Sequence, residues 1–137
     1  MSEFLNPVQS AIFTRLSAQV TSATIYDDVP DLPEGKPDEN YPYVVIGEDV
    51  ANPWDTDNST GNEIRVNLHV FSYYQGKKQT KTILGEIYTA LHRQAANLSA
   101  TGYTFTDCLF DFAEVNDNDD GAIRHGVCRY RVTIEKE

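Results

Sequence analysis

The sequence predicts an α+β fold in one domain spanning residues 1–137, with a mostly antiparallel sheet of about 4–5 strands packed with two amphipathic helices. Two stretches, residues 8–20 and 80–91, place apolar side chains at helical spacing. Two others, residues 63–70 and 128–134, alternate apolar with polar side chains, which is typical of strands with one buried face. A chain of 137 residues can bury a core of its own but is too small for two ordinary domains.

The first helix is expected to begin near Asn6. Asn6 can cap it, Pro7 fits the first turn because its missing N–H costs nothing there, and Gln9 can complete a capping box. Apolar residues then recur at helical spacing, namely Val8, Ala11, Ile12, Leu16 and Val20. One face of this helix should therefore pack on the rest of the domain.

A short strand is predicted in "ATIYDDVP", because Ile25 and Tyr26 favour a pleated surface and Pro30 ends the run. The segment from Pro30 to Pro42 contains four prolines and is predicted to be a surface loop. Since Pro42 has no N–H to donate to a ladder, it is a suitable first residue for the next strand.

The apolar run at residues 43–46 predicts a strand covered on both faces near the middle of the sheet. A second polar loop follows at residues 52–62 and holds the only tryptophan, Trp54, which we expect to fold back over the sheet edge. The clearest signal is "EIRVNLHVFSYY", a half-buried antiparallel strand. The apolar face of this strand is formed by Ile64, Val66, Leu68 and Val70. The polar face is formed by Glu63, Arg65, Asn67 and His69.

After Gly76, the sequence predicts a second amphipathic helix. Its inward stripe is Thr80, Ile83, Leu84, Ile87, Tyr88 and Leu91. Its exposed face carries Lys77, Lys78, Lys81, Glu86 and Arg93. Gly102 is expected to end this unit.

The last two strands are predicted in "YTFTDCLFDFAEV" and "RHGVCRYRVTIE", paired as a hairpin across "NDNDDGAI". The inward residues of the second are Cys128, Tyr130, Val132 and Ile134. Two registers stay open. A turn centred on Asn118 places Cys108 opposite Cys128, whereas a turn at Asp120-Gly121 does not.

Charge and composition exclude several classes of protein. The chain has 21 acidic and 11 basic residues, a net charge of −10, and would on average repel duplex DNA. It has no basic segment followed by a long apolar stretch and no run of about 18 uncharged apolar residues, so we expect it in the cytoplasm. With only Cys108 and Cys128, reduced buried thiols are expected there rather than a disulfide framework.

The acidic stretch at residues 116–121 resembles half of a calcium loop. The twelfth position counted from Asn116 is Val127, where the motif needs a bidentate glutamate. The Asp-Gly pair within it is instead a strong hairpin signal. We therefore predict a turn with solvated carboxylates.

No group of residues in the sequence predicts a catalytic site. His69, His92 and His125 lie far apart in the sequence, and neither histidine nor cysteine has the spacing of a zinc site. On one strand His125 and Cys128 would point to opposite faces. The chain lacks a G-x-S-x-G elbow and a glycine-rich phosphate cradle. We expect no enzyme activity, metal or cofactor, but an interaction or structural protein.

In order and spacing, the elements resemble the tail completion, or tail terminator, proteins of long-tailed bacteriophages. The matching features are an N-terminal amphipathic helix, "IYDDVP", "YPYVVIGED", "VNLHVFSYYQGKKQTKTILGEIYTALH" and the closing "HGVCRYRVTIE". Together they cover most of the chain.

The resemblance implies a structural virion protein that caps the head-proximal end of the tail tube, ends its polymerisation and forms the head-tail joining surface. It also implies a homo-oligomeric ring, a hexamer, that contacts the major tail tube protein and a head-completion or connector protein. DNA would pass through an acidic lumen without specific binding, and no membrane is involved. The alternatives are another neck, connector or head-completion protein and a host-directed inhibitory binding protein.

The polar loops are the candidate interaction sites. Their residues are Asp31, Glu34, Asp38, Glu39, Trp54, Asp55, Asp57, Asp117, Asp119 and Asp120. Their carboxylates either face the lumen or a partner, or are only solvated. The stiff loop before "YPYVVIGED" would present a fixed surface to a ring neighbour or to the tube.

Overall fold

The computed structural model describes residues 5–26, 42–53, 61–73, 78–117 and 123–136. In chain order the elements are α1 (Leu5–Gln19), β1 (Thr24–Tyr26), β2 (Tyr43–Pro53), β3 (Gly61–Tyr73), α2 (Lys78–Leu91), a 3-10 turn (Ala95–Asn97), β4 (Tyr103–Asp117) and β5 (Ile123–Lys136). These helices and strands confirm the predicted α+β class.

The five strands form one sheet in the order β1-β2-β3-β5-β4. β1 pairs with β2 in parallel, and every other pair is antiparallel. The prediction of a mostly antiparallel sheet is therefore confirmed. β3 lies at the centre, whereas β1 and the much longer β4 are the two edge strands of the described sheet.

Both helices pack on the same face of the sheet, α1 near β1 and β2 and α2 across β3, β4 and β5. The core lies between them and is built from the apolar positions of each element. Its fully buried members include Ile12, Leu16, Val44, Ile64, Leu68, Ile83, Ile87, Tyr130 and Ile134. The alternation seen in β3 and β5 thus identified their buried faces correctly.

The observed ends of the N-terminal elements agree with the predicted ends in part. α1 begins at Leu5, so Asn6 lies inside its first turn and the prediction of Asn6 as the cap is wrong. β2 begins directly after Pro42, as predicted, and the Pro42 carbonyl accepts a bond from the Thr24 N–H. Residues 43–46 are buried on both faces of the sheet, which confirms their prediction.

The predicted loop at residues 52–62 is too long. β2 continues to Pro53 and β3 starts at Gly61, and the register pairs Pro53 with Asn62. The predicted placement of Trp54 over the sheet edge lies outside the described residues.

In α2 the prediction was wrong for one apolar residue and one charged residue. Tyr88 is 42% exposed, and Ala90 takes the buried place next to Leu91. Glu86 was predicted to be exposed but is half-buried, and it accepts hydrogen bonds from the backbone N–H groups of Thr21 and Ser22 at 3.0 and 3.2 Å. This carboxylate therefore ties the segment after α1 to α2.

The β4–β5 register decides between the two hairpin alternatives. Asp117 pairs with Arg124, which corresponds to a turn at Asp120-Gly121, and Cys108 pairs with Val132 instead of Cys128. Both cysteines are buried and free. The acidic stretch is in part strand, because β4 extends through Asp117.

Candidate functional site

The face of the sheet turned away from the helices carries a polar and aromatic surface, which we call the outer face. Side chains alternate along a strand, so residues between the core positions point to this side. Its central members are Tyr43, Val45, Glu48, Arg65, Asn67, His69, Phe71, His125, Arg129 and Arg131. Neither helix covers this face. Tyr43, Val45 and Asn67 are nonetheless buried in it, whereas Glu48 is exposed and Arg65, His69, His125 and Arg131 are partly exposed.

Two histidines meet on the outer face, from strands that are neighbours in the sheet. His69 Nδ1 lies 2.8 Å from His125 Nε2, and the two rings are stacked at 5.1 Å. Phe71 stacks on His125 at 4.7 Å. Gly47 makes room for this pair, because a Cβ there would lie 2.5 Å from His69 Cδ2.

A hydrogen-bond chain extends from the histidine pair across β3 to β5. His69 Nε2 lies 3.3 Å from the Glu48 carboxylate, and the Asn67 amide donates to the same carboxylate at 3.2 Å. Arg129 Nε donates to Asn67 Oδ1 at 2.9 Å and its guanidinium lies 5.2 Å from the Phe112 ring centre. These contacts rigidify the outer face from β2 to β4.

Burial and the neighbouring charge of His69 lower the pKa of His125, although Glu114 and Glu48 act in the opposite direction. Backbone hydrogen bonding and the contact with His69 lower the pKa of Glu48 despite its partial burial. The geometry thus favours a pair in which one imidazole donates to the other, with at most one charge next to the Glu48 carboxylate.

The free energy of unfolding is expected to fall as the pH drops from about 7 to 5.5, because unfolded His125 binds a proton near its ordinary pKa of about 6.5 while the folded residue resists it. The stability is present above the unfolded pKa and is lost on acidification towards the lower folded pKa. Urea denaturation across this range measures the slope. His125→Gln should flatten it, and parallel slopes for variant and wild type would refute this role of His125.

The sequence did not bring these histidines together. His69 and His125 are 56 positions apart, and only the register that pairs Phe71 with His125 makes them neighbours. Their outward alternation was the one available signal. His92 lies elsewhere: its Nδ1 accepts a bond from the Phe110 N–H at 3.0 Å, which links the end of α2 to β4.

No described contact pairs a histidine of the outer face with a catalytic nucleophile. The partners that the structure gives the histidines are a carboxylate, a second imidazole and a backbone N–H, rather than a serine or cysteine nucleophile. Within residues 5–26, 42–53, 61–73, 78–117 and 123–136, no three histidine, cysteine or acidic side chains converge as metal ligands.

Burial raises the pKa of both Cys108 and Cys128 to about 12. At pH 8 their thiolate fraction should be roughly a thousandfold below that of a free cysteine, so a thiol reagent should not label the native chain within minutes. Both thiols should react once the chain is unfolded in guanidinium, which serves as the control. Fast reaction of one equivalent in the native state would contradict the buried placement.

Of the predicted interaction residues, only Asp117 belongs to the described chain, at the end of β4. The other nine lie outside the described residues, namely Asp31, Glu34, Asp38, Glu39, Trp54, Asp55, Asp57, Asp119 and Asp120. Sequence reasoning did not identify the outer face or the aromatic side chains near β4. Among these, Tyr88, Phe110 and Phe112 are exposed.

The sequence matches the family described as Tail completion protein gp17 over residues 10–135. The chain belongs to this family. A curated relative, the tail completion protein gp17 of Bacillus phage SPP1, is 30% identical over 127 residues, which cover 93% of this chain and 91% of the relative. These findings confirm the resemblance to phage tail completion proteins, and the chain has a structural role in a phage tail.

Two solved structures share the fold. A chain in the virion of a native gene transfer agent particle superposes with a TM-score of 0.78 at 19% identity, covering 93% of both chains. The structure of the bacteriophage SPP1 gp17 protein gives a TM-score of 0.54 at 24% identity, covering 93% of this chain and 88% of that one. Of the helices in the described residues, none is long and apolar enough to cross a membrane.

Proposed function

We propose that the chain caps the head-proximal end of the tail tube, stops tube polymerisation and forms the surface to which the head joins. The observation that carries this proposal is the family match over residues 10–135, together with a relative named for tail completion that aligns over 93% of the chain. Family membership also favours a tail role over a host-directed inhibitor.

On this proposal, the chain is a single-domain subunit of a homo-oligomeric ring, a hexamer. A closed ring of identical subunits needs two different complementary surfaces on each copy. The described fold supplies two distinct candidates, the outer face and the edge strand β4, whose Phe110 N–H and Cys108 carbonyl already bond to His92 and Arg93. The partners of the ring are the major tail tube protein on one side and a head-completion or connector protein on the other.

DNA passes through the ring without specific binding. The net charge of −10 supports this, because a surface rich in carboxylates repels phosphate. The candidate lumen residues are those of the acidic loops, above all residues 31–39 and 116–120.

A phage that lacks this chain is expected to make tails of uncontrolled length that do not join heads. Electron microscopy of lysates, with and without the wild-type chain supplied in trans, measures the tail-length distribution and the fraction of joined particles. Narrow tail lengths and normal joining in its absence would refute the capping role. Uniform tails that fail to join would instead indicate a neck protein.

A variant of the loop at residues 31–39 tests the interaction sites predicted from the sequence. Replacing it with a short Gly/Ser linker should abolish ring formation or capping, because a flexible linker cannot present a fixed surface. The readouts are ring assembly and tail length. Normal values of both would remove this loop from the candidate sites.

A further inference from the structure

Three arginines cross the middle of the outer face and form what we call the arginine band: Arg65 on β3 with Arg129 and Arg131 on β5. In the sheet register Arg65 lies directly opposite Arg131. Like charges placed opposite each other on neighbouring strands destabilise a sheet. Among the described residues, Glu63 offsets the charge of Arg65 but no ion pair offsets that of Arg131, and a partner outside the chain could supply the missing carboxylate.

The three guanidinium groups are not equally satisfied. Arg65 pairs with Glu63 at 2.9 Å, and Arg129 donates to Asn67. By contrast, the buried Nε of Arg131 has no acceptor within the described part of the chain, and its neighbour on β4 is Leu109. A guanidinium presents its N–H donors in a fork that matches a carboxylate. The Nε donor of Arg131 thus lacks an acceptor among the described residues.

A complementary surface exists at the edge of the same sheet. Along its whole length, β4 carries acidic residues and no lysine or arginine. Asp111 and Glu114 are exposed on it, close to the exposed rings of Phe110 and Phe112. Edge strands that avoid pairing often carry lysine or proline, and neither residue occurs in β4. This edge combines negative charge with apolar contact area.

We propose that the arginine band of one copy binds the acidic β4 edge of a second copy of this chain, with Asp111 and Glu114 as the carboxylates that meet Arg65 and Arg131. The inference rests on the proposed ring and names the two sides of its subunit contact. Charge complementarity selects this arrangement, because two β4 edges would bring carboxylates together. Joining a face to an edge is also heterologous, as ring closure requires.

Charge reversal on each side tests the contact. R65E/R131E reverses the charge of the arginine band, and D111K/E114K reverses the charge of the β4 edge. Each variant alone should need at least about a tenfold higher concentration to self-associate, since like charges then face each other. An equal mixture should associate again, because each reversed surface meets its complement, and a chain with all four changes should do so by itself. Light scattering across concentration gives the mass.

K78E/K81E is the matched control for the band, since it makes the same change in net charge at exposed positions of α2. It should associate like the wild type. Circular dichroism establishes that every variant is folded. If both variants are folded and their mixture stays monomeric, the proposal is overturned, as it is by a wild-type chain that stays monomeric at millimolar concentration.

The experiment distinguishes failure of the proposed band–edge contact from failure of the proposed ring. Association of the mixture that stops at two copies supports the contact between band and edge but removes the ring of the proposed function. A duplex DNA affinity that R65E/R131E abolishes, with self-association unchanged, would make nucleic-acid phosphate the occupant of the band and overturn the proposal.

Discussion

Replacing Gly126 with alanine is expected to lower the free energy of unfolding by about 1–3 kcal/mol, because β5 and α2 leave no room for a methyl group there. A Cβ at this position would lie 2.7 Å from Thr80 Cγ2 and 3.3 Å from Leu84 Cδ1. Thr80 is fully buried and cannot move into solvent. Urea denaturation should show a lower midpoint at an unchanged slope.

The clash can be relieved from the other side, since Thr80→Ser removes the Cγ2 atom. In the Gly126→Ala background this change should recover much of the lost stability. The matched control is Gly85→Ala on α2, where a Cβ would meet nothing within 4 Å. It should stabilise the chain by about 0.5–1 kcal/mol through its effect on helix propensity. Equal stability of the two alanine variants would show that β5 does not approach α2 this closely.

Leu68→Ala should cost about 2–5 kcal/mol. Leu68 is fully buried on the central strand, and its register partners are Ile46 on β2 and Cys128 on β5. Truncation would leave a cavity that its neighbours cannot fill by small movements. Thermal and urea unfolding both measure the loss.

Val50→Ala provides the comparison for Leu68→Ala, because Val50 is 52% exposed on the neighbouring strand β2. Its effect should stay within about 0.5 kcal/mol. A similar loss for both variants would mean that the helices do not cover the β3 face that carries Leu68.

The described features of the fold agree with the structural role that the family match supports. The cysteines are buried with pKa values raised to about 12, and the histidines bind one another, a carboxylate and the backbone. The exposed features are an edge strand, aromatic rings and a polar sheet face. Aromatic rings and polar groups of this kind are common in protein–protein interfaces.

Local periodicity in the sequence was enough to predict which residues face the core. Val8, Ile12 and Leu16 recur at helical spacing and are buried, and the alternation in β3 and β5 identified their inner faces. This is possible because side-chain direction repeats with a local period of 3.6 or 2 residues, which depends only on the backbone of the element itself. Tyr88 was the exception, because it lies at the margin of the stripe, where packing against β4 decides exposure.

Which outward residues meet became visible only in the assembled sheet. His69 reaches His125, and Arg65 faces Arg131, because β3 pairs with β5 in one register. The register of β4 on β5 is a choice of the same kind, and it separates Cys108 from Cys128. A periodic pattern states the face of a residue but not its partner on the next strand. Register depends on the packing of segments far apart in the chain, and so the outer face could be recognised only once the sheet was assembled.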